Sequence, residues 1–222
     1  MEFRTIDMTK YLRKDHFDHF RSMEYPFVTM TVQVDISDWI VRLKRAGYPL
    51  FLCFQYAVAQ AANRVPEFRQ RIVGDGIIEY EHCNPSYTVA LPDETYRYCM
   101  VNTNQPLKAY LEEAKVKQEK ALHDEHLVEE GDPRSHLFTS CVPWQDFTGG
   151  TMPYPYSDFS IPNVVWGKYT TEKYLAMEDG KIIEKEKTTI PVVIFVNHAL
   201  IDGLHISKFY SYLDEELAKM EF

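Results

Sequence analysis

From Ile190 to Val196 the chain carries no polar side chain, and Val192, Val193, Ile194, Phe195 and Val196 give it the composition of a strand covered on both faces. Beyond it, Leu204, Ile206, Phe209, Tyr210, Leu213 and Leu217 roughly follow helical spacing, which predicts a helix over Leu204 to Lys219. Upstream, Phe27 to Ile36 alternates apolar and polar residues and reads as a strand by its period of two. Tyr11 to Met23 reads as a short charged helix. Ser37 is the expected N-cap of a helix over Asp38 to Arg45, stopped by Gly47 ahead of Pro49, and Leu50 to Val65 reads as a buried helix.

The middle of the chain changes character. Ile77 to Tyr80, Tyr87 to Ala90 and Tyr96 to Val101 are short β-like runs separated by Gly74-Asp75-Gly76, Asn84-Pro85 and Pro92-Asp93. Gln105 to Glu130, rich in Lys, Glu, Ala and Leu, predicts one long amphipathic helix ending at Gly131. Leu137 to Val142 and Asn163 to Tyr169 are further strands, with the loop Thr148 to Pro162 between them, and Met177-Glu178-Asp179-Gly180-Lys181 is a hairpin turn. Strands mixed irregularly with helices, without an internal repeat, imply one α+β domain over residues 1–222, its helices packed on a mixed sheet.

Composition narrows the class. A 222-residue chain with 45% hydrophobic residues has ample material for a core, and a formal charge of -9 argues against a broad nucleic-acid surface. Met1 to Thr5 lacks an apolar signal core and no apolar run reaches a membrane span, so no membrane association is expected and the cytoplasm is the expected location. Cys53, Cys83, Cys99 and Cys141 form no C-x-x-C pair, which indicates neither zinc nor a dithiol and fits a reducing compartment. His123 and His126 stand i, i+3 on the charged helix with no third ligand in view, so no metal is expected.

The candidate chemistry lies at Asn197-His198-Ala199-Leu200-Ile201-Asp202-Gly203, an H-x-x-x-D-G element following the buried strand. His198 stands where the strand ends, and Gly203 permits a sharp turn into the last helix. An imidazole titrates in the range useful for a general base. A histidine beside a strand is also commonly a structural residue, and the spacing alone leaves both readings open. Asp202 can be read as the acid of a Ser-His-Asp triad, but no G-x-S-x-G nucleophile motif accompanies it.

The H-x-x-x-D-G element is shared by acyltransferases that use coenzyme A or a carrier thioester. Tyr11 to Phe17, Pro66-Glu67-Phe68-Arg69 leading to Asn84-Pro85-Ser86-Tyr87-Thr88-Val89, Pro143-Trp144 and Gly167-Lys168-Tyr169 narrow the choice. In order and interval, over nearly the whole chain, they resemble the type A chloramphenicol acetyltransferases. Dihydrolipoyl acyltransferase catalytic domains share that fold and histidine. The resemblance implies a chloramphenicol acetyltransferase-like (CoA-dependent acyltransferase) fold and a homotrimer with active sites in channels between subunits. It further implies transfer of acetyl from acetyl-CoA to a hydroxyl of chloramphenicol, inactivating the antibiotic, in a ternary complex without an acyl-enzyme.

Carried over residue by residue, the resemblance makes His198 the general base and pairs Asp202 with Arg13 in a supporting ion pair. It also exposes departures. The family's oxyanion serine position falls on Gly149, so Thr148, with a one-residue shift of the loop, or a backbone N–H of Gly149-Gly150 becomes the candidate donor. In the acceptor pocket Phe20 stands for a family tyrosine and His19 for a neighbouring aromatic, while Met23, Tyr25 and Phe27 can furnish an apolar wall. Asn197 carries little functional weight, and His205 is expected to pack or hydrogen-bond. Two other readings remain: acetylation of another hydroxylated small molecule, motivated by Gly149 and Phe20, and a catalytically silent trimer that binds a ligand.

Overall fold

The computed structural model describes residues 2–127, 129 and 131–222. In chain order the elements are β1 (Phe3–Thr5), α1 (Lys14–Arg21), β2 (Phe27–Asp35), α2 (Ser37–Ala46), α3 (Leu50–Asn63), β3 (Gln70–Val73), β4 (Gly76–Tyr80), β5 (Asn84–Ala90) and β6 (Tyr96–Met100). They continue as α4 (Leu107–Leu122), β7 (His136–Val142), β8 (Asn163–Gly167), β9 (Thr170–Glu178), β10 (Lys181–Asn197) and α5 (Gly203–Lys219), with short 3-10 turns at Pro66–Arg69 and Pro133–Ser135.

A seven-stranded sheet runs β2-β10-β8-β7-β5-β6, with β9 also paired to β10, and β1-β4-β3 form a second, three-stranded sheet. The large sheet is mixed: β5–β7 and β7–β8 are parallel, whereas β10 is antiparallel to β2, β8 and β9. The expected α+β architecture is therefore present. Leu137, Val164, Trp166, Val192, Ile194 and Val196 from the sheet join Phe54 and Val58 of α3 and Ile206, Phe209 and Leu213 of α5 in one buried cluster. The period of two turns the alternate residues Phe138, Ser140 and Val165 toward the opposite face, where a groove of about 1310 Å³ opens.

The last helix is held at its C-terminal end and at its middle. The Arg42 guanidinium donates to the carbonyls of Leu217, Ala218 and Met220 at 2.7, 3.1 and 2.6 Å, taking up acceptors that a helix end leaves without partners. Tyr210 Oη lies 2.8 Å from Val192 O and 3.0 Å from Met30 O, tying α5 to the two strands below it.

Four local expectations change. The helix predicted to end at Gly131 stops at Leu122, and Glu130 lies outside the described residues. The cause is tertiary: Arg97 of β6 donates to Asp124 O and Glu125 O, claiming carbonyls that a continuing helix would use. His123 then caps α4 and His126 lies beyond it, so the two do not share a helical face. Ser37 is the first residue of α2 rather than its cap: Ile36 holds the cap position without a side-chain cap, and Asp35 Oδ1 accepts the Ser37 N–H and O–H at 2.9 and 2.6 Å. Gly203 needs no positive φ; the turn into α5 is made by Asp202 in an extended conformation (φ -119°, ψ -176°).

The fourth concerns β9 and β10. The expected turn is there, with φ of 49° at Asp179 and 76° at Gly180, but it joins two long strands that the period of the sequence did not announce. Residues 181–188 of β10 pair only with β9, so this hairpin extends past the sheet and exposes Tyr174, Leu175, Met177 and Ile182.

Candidate active site

β10 ends at Asn197, and the backbone leaves the sheet at His198, whose N–H donates to Pro26 O at 2.7 Å. This bond sets the histidine beside the start of β2. The chain then turns tightly: Leu200 N and Ile201 N both donate to Asn197 O, at 3.1 and 3.0 Å. The turn brings the Ile201 carbonyl within 3.0 Å of His198 Nδ1. A carbonyl only accepts, so Nδ1 carries the ring proton and the lone pair of the neutral imidazole sits on Nε2.

Phe20 lies flat on this ring, with centroids 3.8 Å apart and planes inclined by 18°. His19 meets Phe20 edge-on at 5.1 Å. Tyr25, 62% exposed, belongs to a neighbouring aromatic wall: it packs on Phe27 at 5.0 Å and Tyr154 at 6.0 Å, and Phe27 and Tyr154 stack in parallel at 3.6 Å. Phe159 extends the wall from the other side of Tyr154. Of these three residues Phe20 lies against the His198 ring, His19 reaches it only through Phe20, and Tyr25 precedes Pro26, whose carbonyl accepts the His198 N–H.

Arg13 and Asp202, 189 positions apart, meet through Arg13 Nη1 and Asp202 Oδ2. The Asp202 carboxylate also caps α5 by accepting the Leu204 N–H at 2.9 Å. Burial works against its charge, but the hydrogen bond and the charge of Arg13, with the Leu204 N–H, outweigh it and hold the carboxyl below the usual carboxylate range. Asp202 does not touch His198 as a triad acid would; the His198 ring proton goes to a backbone carbonyl instead.

The loop between β7 and β8 closes the other side. Asn197 fixes it: the amide donates to Ser157 O at 2.7 Å and Phe159 O at 3.0 Å, while its oxygen accepts the Ala199 N–H at 3.0 Å. A residue with little expected function therefore clamps the loop to the turn that carries His198, a role that no local motif signals. Thr148 and Gly149 lie on the exposed part of this loop, Gly149 with open space where a side chain would stand. Gly150 faces the Phe195 ring, 3.8 Å from where its Cβ would be. Nearer the sheet, Gly167 permits a close approach: a Cβ there would lie 2.5 Å from Gln145 O, 2.8 Å from Pro191 Cγ and 2.9 Å from Phe147 Cε1. Lys168 N also donates to Gln145 O at 2.8 Å, so Gly167-Lys168 forms a packed corner with Gln145 and Phe147, which follow the exposed Pro143-Trp144 pair.

The groove on the open face is lined by β5, β6, β7 and β8 and by Pro143, Trp144 and Met152 of the same loop. His198 is not among its lining residues. Asn163, which is, pairs in register with Phe195 three residues before the histidine. Among the described residues, no group of three or more His, Cys, Asp or Glu is arranged to hold a metal ion, and no helix is long and apolar enough to cross a membrane.

Comparison with known proteins gives the family and the fold. The sequence model of the chloramphenicol acetyltransferase family matches residues 1–214. A chloramphenicol acetyltransferase from Clostridium perfringens is 31% identical over 97% of this chain and 98% of its own length, and one from Clostridioides difficile is 30% identical over 97% and 96%. Among solved structures, a chloramphenicol acetyltransferase superposes with a TM-score of 0.77 at 24% identity, covering 97% of this chain and all of the other. The cubic core of the pyruvate dehydrogenase multienzyme complex shares the fold at a TM-score of 0.60 and 19% identity, over 90% of this chain and 85% of its own. With a match that runs from the first residue into the last helix, this chain belongs to the chloramphenicol acetyltransferase family.

Proposed function

We propose that the protein transfers the acetyl group of acetyl-CoA to a hydroxyl of chloramphenicol, with His198 as general base in a ternary complex. The observation that carries this reading is the hydrogen bond from His198 Nδ1 to Ile201 O, which leaves Nε2 free to take a proton. The acceptor hydroxyl gives its proton to Nε2 as its oxygen attacks the thioester carbonyl. The tetrahedral intermediate then collapses with cleavage of the C–S bond, and the proton passes from Nε2 to the departing thiolate. Cys141, the cysteine on the groove, has its thiol pushed up to about 11 by burial, which makes it a poor nucleophile and supports direct transfer.

In this reading Asp202 and Arg13 support the turn that carries His198. Thr148 Oγ1 or a backbone N–H of Gly149 supplies the donor for the developing oxyanion, and His19, Phe20 and Tyr25 line the acceptor side. The chain acts as one domain and assembles into a homotrimer, in which a neighbouring subunit closes the open groove. The exposed apolar side chains Tyr96 and Trp144 along the groove and Leu175 and Ile182 on the hairpin support that assembly. The enzyme works in the cytoplasm, where it would confer resistance to the antibiotic.

A second acceptor class, another hydroxylated small molecule, is favoured by one feature: the ring stacked on His198 is Phe20, which offers no hydroxyl to an acceptor. Release of free thiol from acetyl-CoA separates the readings. Wild type is expected to release thiol only when chloramphenicol is present, and His198→Ala to lose that release by about 10²–10⁴-fold. Release with other alcohols and none with chloramphenicol would establish the second acceptor class. Tight binding of the antibiotic with no release under any condition would leave a silent binding protein.

A further inference from the structure

A second imidazole lies behind the first. His205, 6% exposed in the first turn of α5, accepts the Asp202 N–H on its Nδ1 at 3.1 Å. The proton of the neutral ring is therefore on Nε2, and Nε2 faces Glu67 Oε1 at 3.4 Å, across from the 3-10 turn Pro66–Arg69. The Asp202 N–H and the Ile201 carbonyl are the two ends of a single peptide group. One end is bound by His205 Nδ1, and the other accepts His198 Nδ1–H at 3.0 Å. Two hydrogen bonds thus run in one direction, from His198 through the Ile201–Asp202 amide to His205, and the Glu67 carboxylate faces the far side of that ring at ion-pair distance.

Bonds in such a series polarise one another. The Glu67 charge facing the Nε2 side of His205 polarises the ring and makes Nδ1 a stronger acceptor. That in turn makes the amide oxygen a stronger acceptor for the His198 ring proton. We infer that Glu67 and His205 are positioning residues for the base, forming a carboxylate–imidazole–amide relay that holds His198 in its Nδ1–H tautomer and supplies electron density to Nε2. The inference rests on the reading of His198 as the base. It also explains why the ring proton of His198 can be directed at a peptide carbonyl rather than at a carboxylate: the charge is present, one amide and one imidazole further back.

The relay requires His205 to be neutral. Burial lowers its pKa, Glu67 and Asp202 oppose that, and Arg13 and Lys208 reinforce it, leaving it below the ordinary histidine value. Asp202 Oδ1 also lies 3.0 Å from His205 Nδ1. A second proton on the ring would go to that oxygen and leave the Asp202 N–H without its acceptor, breaking the series at the amide.

Two variants separate a relay from a simple helix cap. Glu67→Gln keeps an oxygen facing the Nε2 side and removes the charge. His205→Asn puts an amide oxygen in the place of Nδ1, keeping the cap and severing Glu67. In nitrogen NMR of the whole protein, wild type is expected to show unprotonated nitrogens at His198 Nε2 and His205 Nδ1. In either variant the acid limb of the kcat/KM–pH profile is expected to move to lower pH by roughly 0.3 units, the size of one screened charge acting at this remove, with KM unchanged. The double variant should move it no further. A limb that stays in place in both variants would make His205 a cap and overturn the relay, as would a His198 that carries its proton on Nε2. The nitrogen spectra need no turnover. If His198→Ala retained thiol release, the base reading would fail while the spectra still judged the hydrogen-bonded series.

Discussion

Asp202→Asn removes one charge at nearly constant size, and its cost can be worked from the contacts. The carboxylate pairs with Arg13, accepts the Leu204 N–H at 2.9 Å and sits beside His205. Asn caps a helix as well as Asp does, so the loss is the ion pair alone. Removing one partner of a fully buried pair costs about 3–5 kcal/mol, and an exposed pair contributes about 0–1. With side chains 19% and 29% exposed, this one falls between, at about 2 kcal/mol. Arg13 Nε and Nη2 are buried with no hydrogen-bond partner among the described residues, so the lost pairing is not made up by a neighbouring acceptor on those atoms. For a chain of this length the melting temperature should fall by about 4–8 °C, measured by circular dichroism at fixed protein concentration.

The dependence on pH follows from the same group. The Asp202 carboxyl lies below its unfolded value in the folded protein, so its contribution is fully present above the ordinary carboxylate pKa and is lost as pH falls through the lowered one. The gap between wild type and Asp202→Asn should be constant near neutrality and close only in acid. Asp202→Ala, which also loses the cap, should cost about 1 kcal/mol more than Asn. Equal melting of wild type and Asp202→Asn at neutral pH would refute the ion-pair argument. Lost activity with the His198 turn unmoved in a crystal structure of the variant would refute the positioning role.

Two further substitutions probe the walls of the site. Gly167→Ala forces a methyl group against Gln145 O, Pro191 and Phe147, two of them in a packed corner, and should destabilise by about 1–3 kcal/mol in urea unfolding while raising KM through displacement of the Pro143-Trp144 turn; unchanged stability would mean that the corner gives way freely. Phe20→Ala removes the ring stacked on His198, a contact worth about 0.5–1.5 kcal/mol, and should lower kcat more than it raises KM; a loss confined to KM would place Phe20 against the acceptor only.

Within the stretch from Ile190 to Lys219, most of what matters was legible in the sequence. An unbroken apolar run, an imidazole at its end and a helical period beyond it are local statements, and local spacing alone determines which side chains share a face or follow a strand. The Asp179-Gly180 turn was legible for the same reason, because it rests on two residues that tolerate positive φ. The pairing of Arg13 with Asp202 was available only through resemblance, which also decided between the catalytic and structural readings that the spacing of His198 left open. The tertiary structure decided what depends on distant parts of the chain: Arg97 ending α4, Phe20 stacked on His198, Asn197 holding the loop at Ser157 and Phe159, and Glu67 facing His205. Each of these is one contact between segments that packing brings together. Periodicity carries no trace of such a contact, because a single polar or aromatic residue that meets a distant partner reads, in its own segment, like any other surface position.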